Sequence, residues 1–211
     1  MKRNFTLVEL LVVTVIIGII VGAVVPAFTR LMTGNAVSYG LRMTTSQLNM
    51  ARTEACARRK YVAVVILDKA SNAASGAYLP ESGTNVGYCC AFRSCYVTKS
   101  VSGGSASYTF EKWVPGTKWE YLPKGAYFSE DTVLPLEVKN VTDEDGLLTS
   151  GAHNIHAVIF SDSGRAAEKK AFAVAVREGV VTDNKTVTRN NNAENQLIAK
   201  VNRYTGGIRT E

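Results

Sequence analysis

From Phe5 to Phe28 the chain is an almost unbroken apolar run with one carboxylate, Glu9, set inside it. As a helix, such a run is long enough to cross a hydrocarbon layer of about 30 Å. Met1-Lys2-Arg3-Asn4 precede it as a short basic leader. Cations at that end favour the cytoplasmic side and place the rest of the chain outside. A cleavable secretory signal begins the same way, and Val21-Gly22-Ala23 imitates its cleavage site. The apolar core of such a signal is only about 7 to 15 residues long, shorter than the run here. A carboxylate in the middle of an apolar helix costs roughly 2.5 to 3.5 kcal/mol on insertion scales, so Glu9 requires a partner or a purpose.

The segment Phe5-Thr6-Leu7-Val8-Glu9-Leu10-Leu11-Val12-Val13 closely resembles the prepilin cleavage and N-methylation motif of type IV pilins and type II secretion pseudopilins. The resemblance implies that a prepilin peptidase cuts between Asn4 and Phe5 and that the new Phe5 amine is methylated. Asn4 stands where the family usually has Gly. Glu9 then lies one helical turn along, where the freed amine of a neighbouring subunit can neutralise it and set the register of assembly. Gly18 and Gly22 are spaced to let helices approach closely. Pro26, near the expected membrane exit, is a natural kink.

Beyond Pro26 the periodicity changes. Val37, Leu41, Thr44, Leu48, Ala51 and Ala55 recur at three- and four-residue steps, the signature of an amphipathic helix that needs a sheet to cover its apolar side. Joined to the first run it predicts one helix of about 55 residues, roughly 80 Å long, bent at Pro26 and loosened at Gly34 or Gly40. The stretch from Ala51 to Ile66 closes that helix with Arg58, Arg59 and Lys60 and enters a β-branched strand. It resembles the helix-to-strand junction of the GspH/FimT family of minor pseudopilins. Two further segments are similar to that family, Val158 to Ala166 with its Phe, polar turn and Gly-Arg, and Val201 to Arg209.

Short β segments are expected at Gly87 to Val97, Ser107 to Val114, Lys118 to Leu122, Val133 to Val138, His156 to Ser161, Ala171 to Arg177 and Gln196 to Arg203. The polar gaps Ala70 to Thr84, Ser100 to Ser107 and Thr182 to Glu194 read as loops. The predicted fold class is α+β, a pilin-like fold with a long N-terminal helix, membrane-spanning in its first half, packed on a mostly antiparallel β-sheet. The predicted divisions are a leader over 1–4, a transmembrane or filament-core helix over 5–28, an amphipathic helix over 29–60 and a β-rich periplasmic head over 61–211.

The net charge is +6, of which Lys2 and Arg3 supply two. With no aromatic-basic cluster in the sequence, this is too little to argue for nucleic acid. Cys89, Cys90 and Cys95 fall within seven residues, with Cys56 apart. In an oxidising compartment Cys95 can bridge Cys89 or Cys90, leaving the other thiol free or paired with Cys56. His153 and His156 beside Asp162 are too few ligands for zinc. Asp143-Glu144-Asp145-Gly146 lacks the calcium-loop spacing and reads as a solvated turn. No nucleophile-base constellation and no phosphate cradle can be assembled, so neither an enzyme nor a cofactor is expected.

The resemblance therefore implies a minor pseudopilin or pilin-like subunit of a secretion pseudopilus or type IV pilus. It would sit single-pass in the bacterial inner membrane, N-terminus cytoplasmic and head periplasmic, and be extracted into a filament. Its partners would be other pilin subunits, the prepilin peptidase and the inner-membrane assembly platform. The alternative is a FimT-like DNA-binding minor pilin. FimT-like proteins use a C-terminal Gly-Arg-x-Arg segment; Gly206-Gly207-Ile208-Arg209 departs from it, and Lys200, Arg203 and Arg209 would make the phosphate contacts.

Overall fold

The computed structural model describes residues 7–67, 89–129, 132–143, 147–148, 151–167, 172–181, 187–188 and 195–211. One helix, α1 (Leu7–Arg58), runs for 52 residues, about 78 Å at 1.5 Å per residue. The helix is unbroken at Pro26, Gly34 and Gly40. Gly40 is a place of close approach, since an added Cβ would lie 3.1 Å from Leu122 Cδ2 and 3.3 Å from Pro123 Cδ. Arg59, with φ 53°, ends the helix in the left-handed region. There the Lys60 amide donates back to the Ala55 carbonyl at 3.3 Å, closing the last turn.

Twelve strands are described after the helix: β1 (Tyr61–Ile66), β2 (Ala91–Ser102), β3 (Ser105–Trp113), β4 (Glu120–Tyr121), β5 (Ala126–Phe128), β6 (Leu136–Val141), β7 (His153–Phe160), β8 (Phe172–Glu178), β9 (Val180–Val181), β10 (Val187–Thr188), β11 (Gln196–Val201) and β12 (Ile208–Thr210). The order β1-β7-β6-β3-β2 closes on itself through β1–β2, with β4 attached to β2. Within this five-stranded ring β3 and β6 are parallel; the remaining ring pairs are antiparallel. A separate four-stranded antiparallel sheet has the order β12-β11-β8-β5.

Two cores follow from this closure. Ala63, Val65, Cys95, Val97, Val138, Ile155, Ala157 and Ile159 fill the interior of the ring, as expected of a barrel too small to hold anything but its own side chains. The alternate residues Val62, Val64, Ile66, Phe92, Tyr96, Val158 and Phe160 face outward. They join α1 and the inner face of the second sheet, Phe128, Phe172, Val174, Val176, Ala199 and Val201 among them. β1 is therefore covered on both faces, which is why its sequence is apolar without alternation. On α1, Val37, Leu41, Thr44, Leu48, Ala51 and Ala55 are all buried, and Gln47 adds a buried hydrogen bond to Ser94 Oγ at 3.0 Å.

The expected architecture is corrected on two counts. The head is a closed ring plus a second sheet, not one sheet beneath a helix, because β1 pairs on both edges and a parallel contact completes the circle. In addition, among the described residues no helix is long and apolar enough to cross a membrane. The same finding overturns the single-pass inner-membrane placement with a periplasmic head.

Smaller corrections follow. The gap Ser100 to Ser107 is a hairpin tip, where β2 turns into β3 through Gly103 and Gly104 at φ 59° and 82°, the positive pair a tight hairpin turn requires. Part of the gap 182–194 holds β10, which pairs with β9. The gap Ala70 to Thr84 lies outside the described residues. The clustered cysteines do not close a loop, and no disulfide joins any of the four. From Ala91 to Cys95 the chain is strand, rising about 13 Å in four steps, whereas a disulfide needs Cα atoms within about 7 Å.

Candidate assembly surface

The two halves of α1 have opposite surroundings. From Ala36 onward one side of the helix is seated on both sheets. Between Leu7 and Val24, thirteen large apolar side chains are exposed, from Val12 at 48% to Leu7 at 82%. The apolar residues occur on every side of this half, so no rotation of the helix against its own head would bury them all. An added Cβ at Gly18 or Gly22 meets nothing within 4 Å, so neither glycine is demanded by packing inside the chain. Covering thirteen such side chains at about 1.5 to 3 kcal/mol each represents roughly 20 to 40 kcal/mol of apolar free energy. This arrangement can bury itself against apolar helices of its own kind.

Glu9 lies in the first turn of α1, where a carboxylate complements the positive end of the helix dipole, on the exposed stretch. The predicted cleavage point, Asn4 and Phe5, lies outside the described residues. The candidate phosphate contacts are only partly brought together. Lys200 and Arg209 are register partners on β11 and β12 and share one face. Lys200 is engaged by Glu211 at 2.5 Å. Arg203 sits in the turn between the two strands, its guanidinium 4.2 Å from the Tyr204 ring centroid and bonded to the Tyr204 hydroxyl. Two of the three cations are thus already occupied within the hairpin.

The three segments that resemble the GspH/FimT family converge in space. Arg52 Nε donates to the Gly164 carbonyl at 3.2 Å. A Cβ on Gly164 would fall 2.5 Å from Cys56 Sγ, and one on Gly206 would fall 2.1 Å from the Gly164 carbonyl oxygen. Both glycines have positive φ, 72° and 66°. No bulkier residue fits this junction of helix, β7–β8 turn and terminal hairpin.

Two features were not visible in the sequence. Arg93 pairs with Asp143 at 3.6 Å with both side chains nearly excluded from water, at 9% and 0% exposure. Its guanidinium lies 4.3 Å from the Trp113 ring centroid and donates to the Thr117 carbonyl at 2.8 Å. Asp143 also accepts from the Leu147 and Leu148 amides at 2.8 and 3.2 Å. The turn read as solvated therefore begins with a buried carboxylate. The second is a cluster of lysines on aromatic rings, with Lys60 and Lys112 5.5 and 5.9 Å from the Tyr96 ring centroid and Lys99 5.5 Å from that of Tyr61. These residues are scattered over fifty positions, so composition alone did not reveal them. Burial, and then the hydrogen bond to Glu54, hold the Tyr96 phenol above its usual pKa.

His153 and His156 lie on β7, and His156 Nε2 is 3.3 Å from Glu137 on β6. Among the described residues no group of three or more His, Cys, Asp or Glu is placed to hold a metal ion. Cys95 is buried and Cys90 half-buried; burial pushes the Cys90 thiol up to about 12 and raises Cys95 as well. Cys56 is exposed.

No family model matches the chain, and no curated protein matches it. Among solved structures, the crystal structure of the type IV minor pilin FimU of Pseudomonas aeruginosa strain PAO1 is similar at a TM-score of 0.42 and 10% identity, over 84% of this chain and 89% of that one. A likeness at that level carries no argument about fold or function.

Proposed function

We propose that this chain is a structural subunit, and not an enzyme, that assembles with pilin-like subunits through the apolar half of α1. We take it for a minor pseudopilin or minor pilin of the GspH/FimT kind, in a type II secretion pseudopilus or a type IV pilus. One observation carries the reading: thirteen large apolar side chains stand exposed between Leu7 and Val24, on a helix whose other half is locked into the head. A surface of that size and shape is complementary to other apolar helices. The motif around Glu9 supports the same reading, with processing by a prepilin peptidase between Asn4 and Phe5, methylation of Phe5, and Glu9 setting the register between neighbours.

The test is co-fractionation with sheared filaments. Wild-type chain is expected in the filament fraction with a mature N-terminus at methylated Phe5, read by mass spectrometry. An Ile16→Asp/Ile17→Asp variant, changed where nothing in the head is touched, is expected to be lost from that fraction while its head keeps its fold. Retention of the double variant, or a wild-type chain that still begins at Met1, overturns the proposal. The nucleic-acid alternative is tested by an Arg203→Ala/Arg209→Ala variant in a salt-dependent gel shift. With Lys200 and Arg203 already engaged, no shift above background is expected.

A further inference from the structure

The β2–β3 hairpin outruns the ring it belongs to. β1 begins at Tyr61, opposite Val97, and among the described residues no strand continues beside Thr98 to Ser102. Beyond that point five cross-strand pairs, from Thr98–Thr109 to Ser102–Ser105, form a two-stranded ribbon, and its residues from Thr98 to Ala106 are all exposed. Such a ribbon is marginal in water by itself, and its open edge is a template for another strand.

The backbone groups of β2 alternate between its two edges. The Ala91 carbonyl is taken by the Leu67 amide, on the β1 side, and the Ser94 carbonyl by the Val114 amide, on the β3 side. The irregularity of the hairpin pairs Tyr96 with Lys112 and Val97 with Phe110, so the extra residue, Glu111, is on β3 and the alternation along β2 is unbroken. Odd-numbered residues therefore face the β1 side, and past the start of β1 these are Lys99 and Val101. The turn agrees, since the two-residue Gly103-Gly104 turn bonds Ser102 to Ser105 and leaves Val101 turned outward. Devices that blunt an edge strand are thin here. Thr98 to Ser107 contains no proline, and its single charge, Lys99, lies 5.5 Å from the Tyr61 ring centroid.

We propose that this edge pairs antiparallel with the same edge of a second copy, about a two-fold axis at Val101. Outward-facing residues must meet outward-facing residues, which leaves three symmetric registers within Thr98 to Ser102. Lys99 opposite Lys99 sets like charges face to face. Lys99 opposite Val101 carries the partner's turn to the position opposite Val97, which Tyr61 already holds. Val101 opposite Val101 meets neither obstacle. In that register each Val101 amide donates to the other Val101 carbonyl and Ser100 faces Ser102. A valine 66% exposed in the single chain is then covered by its counterpart. The contact lies on the head and does not rest on the assembly role of α1. With two backbone bonds at its centre it is weak, and is read by trapping.

The experiment places single cysteines on this edge of the full chain, held in mild detergent, in a Cys56→Ser background that removes the exposed native thiol. With Val101 on the axis, the two Val101→Cys positions have Cα atoms about 5.5 Å apart, within disulfide range. The two Lys99→Cys positions are offset by four residues, about 13 Å. Mild oxidation is expected to link Val101→Cys into dimers at least about tenfold faster than Lys99→Cys. The same linkage is expected with Ile16→Asp/Ile17→Asp added, whose loss from filaments bears on α1 alone. Equal rates at the two positions, faster linkage through Lys99→Cys, no linkage through Val101→Cys, or linkage that disappears with Ile16→Asp/Ile17→Asp overturns the proposal.

Discussion

Replacing Asp143 should destabilise the head far more than its place in an acidic surface turn suggests. Its carboxylate accepts two backbone amides, at 2.8 and 3.2 Å, and faces Arg93 at 3.6 Å with no exposure of its own. Removing one member of a buried pair typically costs about 3 to 5 kcal/mol, because the other charge stays behind without its counter-charge. Here Arg93 keeps the Thr117 carbonyl and the Trp113 face, which places Asp143→Asn near the lower limit, about 3 kcal/mol. Asp143→Ala also removes the acceptor of both the Leu147 and Leu148 amides and should cost about 1 kcal/mol more. The double variant Arg93→Met/Asp143→Asn leaves no stranded cation and should cost less than the sum of its parts by about 2 kcal/mol. Urea unfolding followed by tryptophan emission is a suitable assay, since Trp113 lies against Arg93. The exposed Lys60–Glu111 pair, at 48% and 35% side-chain exposure, is the internal control; Glu111→Gln should shift stability by no more than about 0.5 kcal/mol. If Asp143→Asn costs as little as that control, or if the two single changes simply add, the buried-pair reasoning is wrong.

Gly206→Ala should destabilise the terminal hairpin by at least about 2 kcal/mol, because it combines a positive φ of 66° with a Cβ 2.1 Å from the Gly164 carbonyl; amide exchange should accelerate in β11 and β12 first, and unchanged exchange would count against the junction. Alkylation of the folded chain at mild alkaline pH should label Cys56 alone, since burial keeps Cys90, raised to about 12, and Cys95 as thiols. Two or more labels by intact mass would contradict the burial described. Burial and the hydrogen bond to Glu54 hold the folded Tyr96 phenol above its ordinary pKa of 10.0, so the proton it retains stabilises the fold fully below that pH, and the contribution is lost as pH rises through the higher folded value. Stability measured upward from about pH 10 should therefore fall more steeply for wild type than for Tyr96→Phe, and parallel curves would refute the assignment.

The seated half of α1 was legible residue by residue, because a three-four repeat from Val37 to Ala55 admits one buried face and the structure buries it. The strands were legible as segments, but their closure was not. Closing the ring depends on Tyr108 meeting Val138 in parallel, thirty residues along the chain, and no local pattern encodes that contact. The cysteine spacing misled for a metric reason, since six residues can be a tight loop or a rod, and β-branched and aromatic neighbours favoured the rod. Asp143 misled through its neighbours: Asp-Glu-Asp-Gly reads as a turn, and only Arg93, fifty positions earlier, shows that the first acid points inward. Of the residues expected from the motif to serve processing and assembly, Glu9 lies on the described helix, whereas Asn4 and Phe5 lie outside the described residues.

Because the seated half of α1 is gripped mainly by side chains from both sheets at once, a tug along its axis cannot peel it off one contact at a time. Val37, Leu41, Leu48, Ala51 and Ala55 would have to leave their seats together while Arg52 released Gly164. Resistance to such loading is set by the rate of crossing that single concerted barrier. A chain built this way can be pulled by the exposed half of α1 and carry its head along intact.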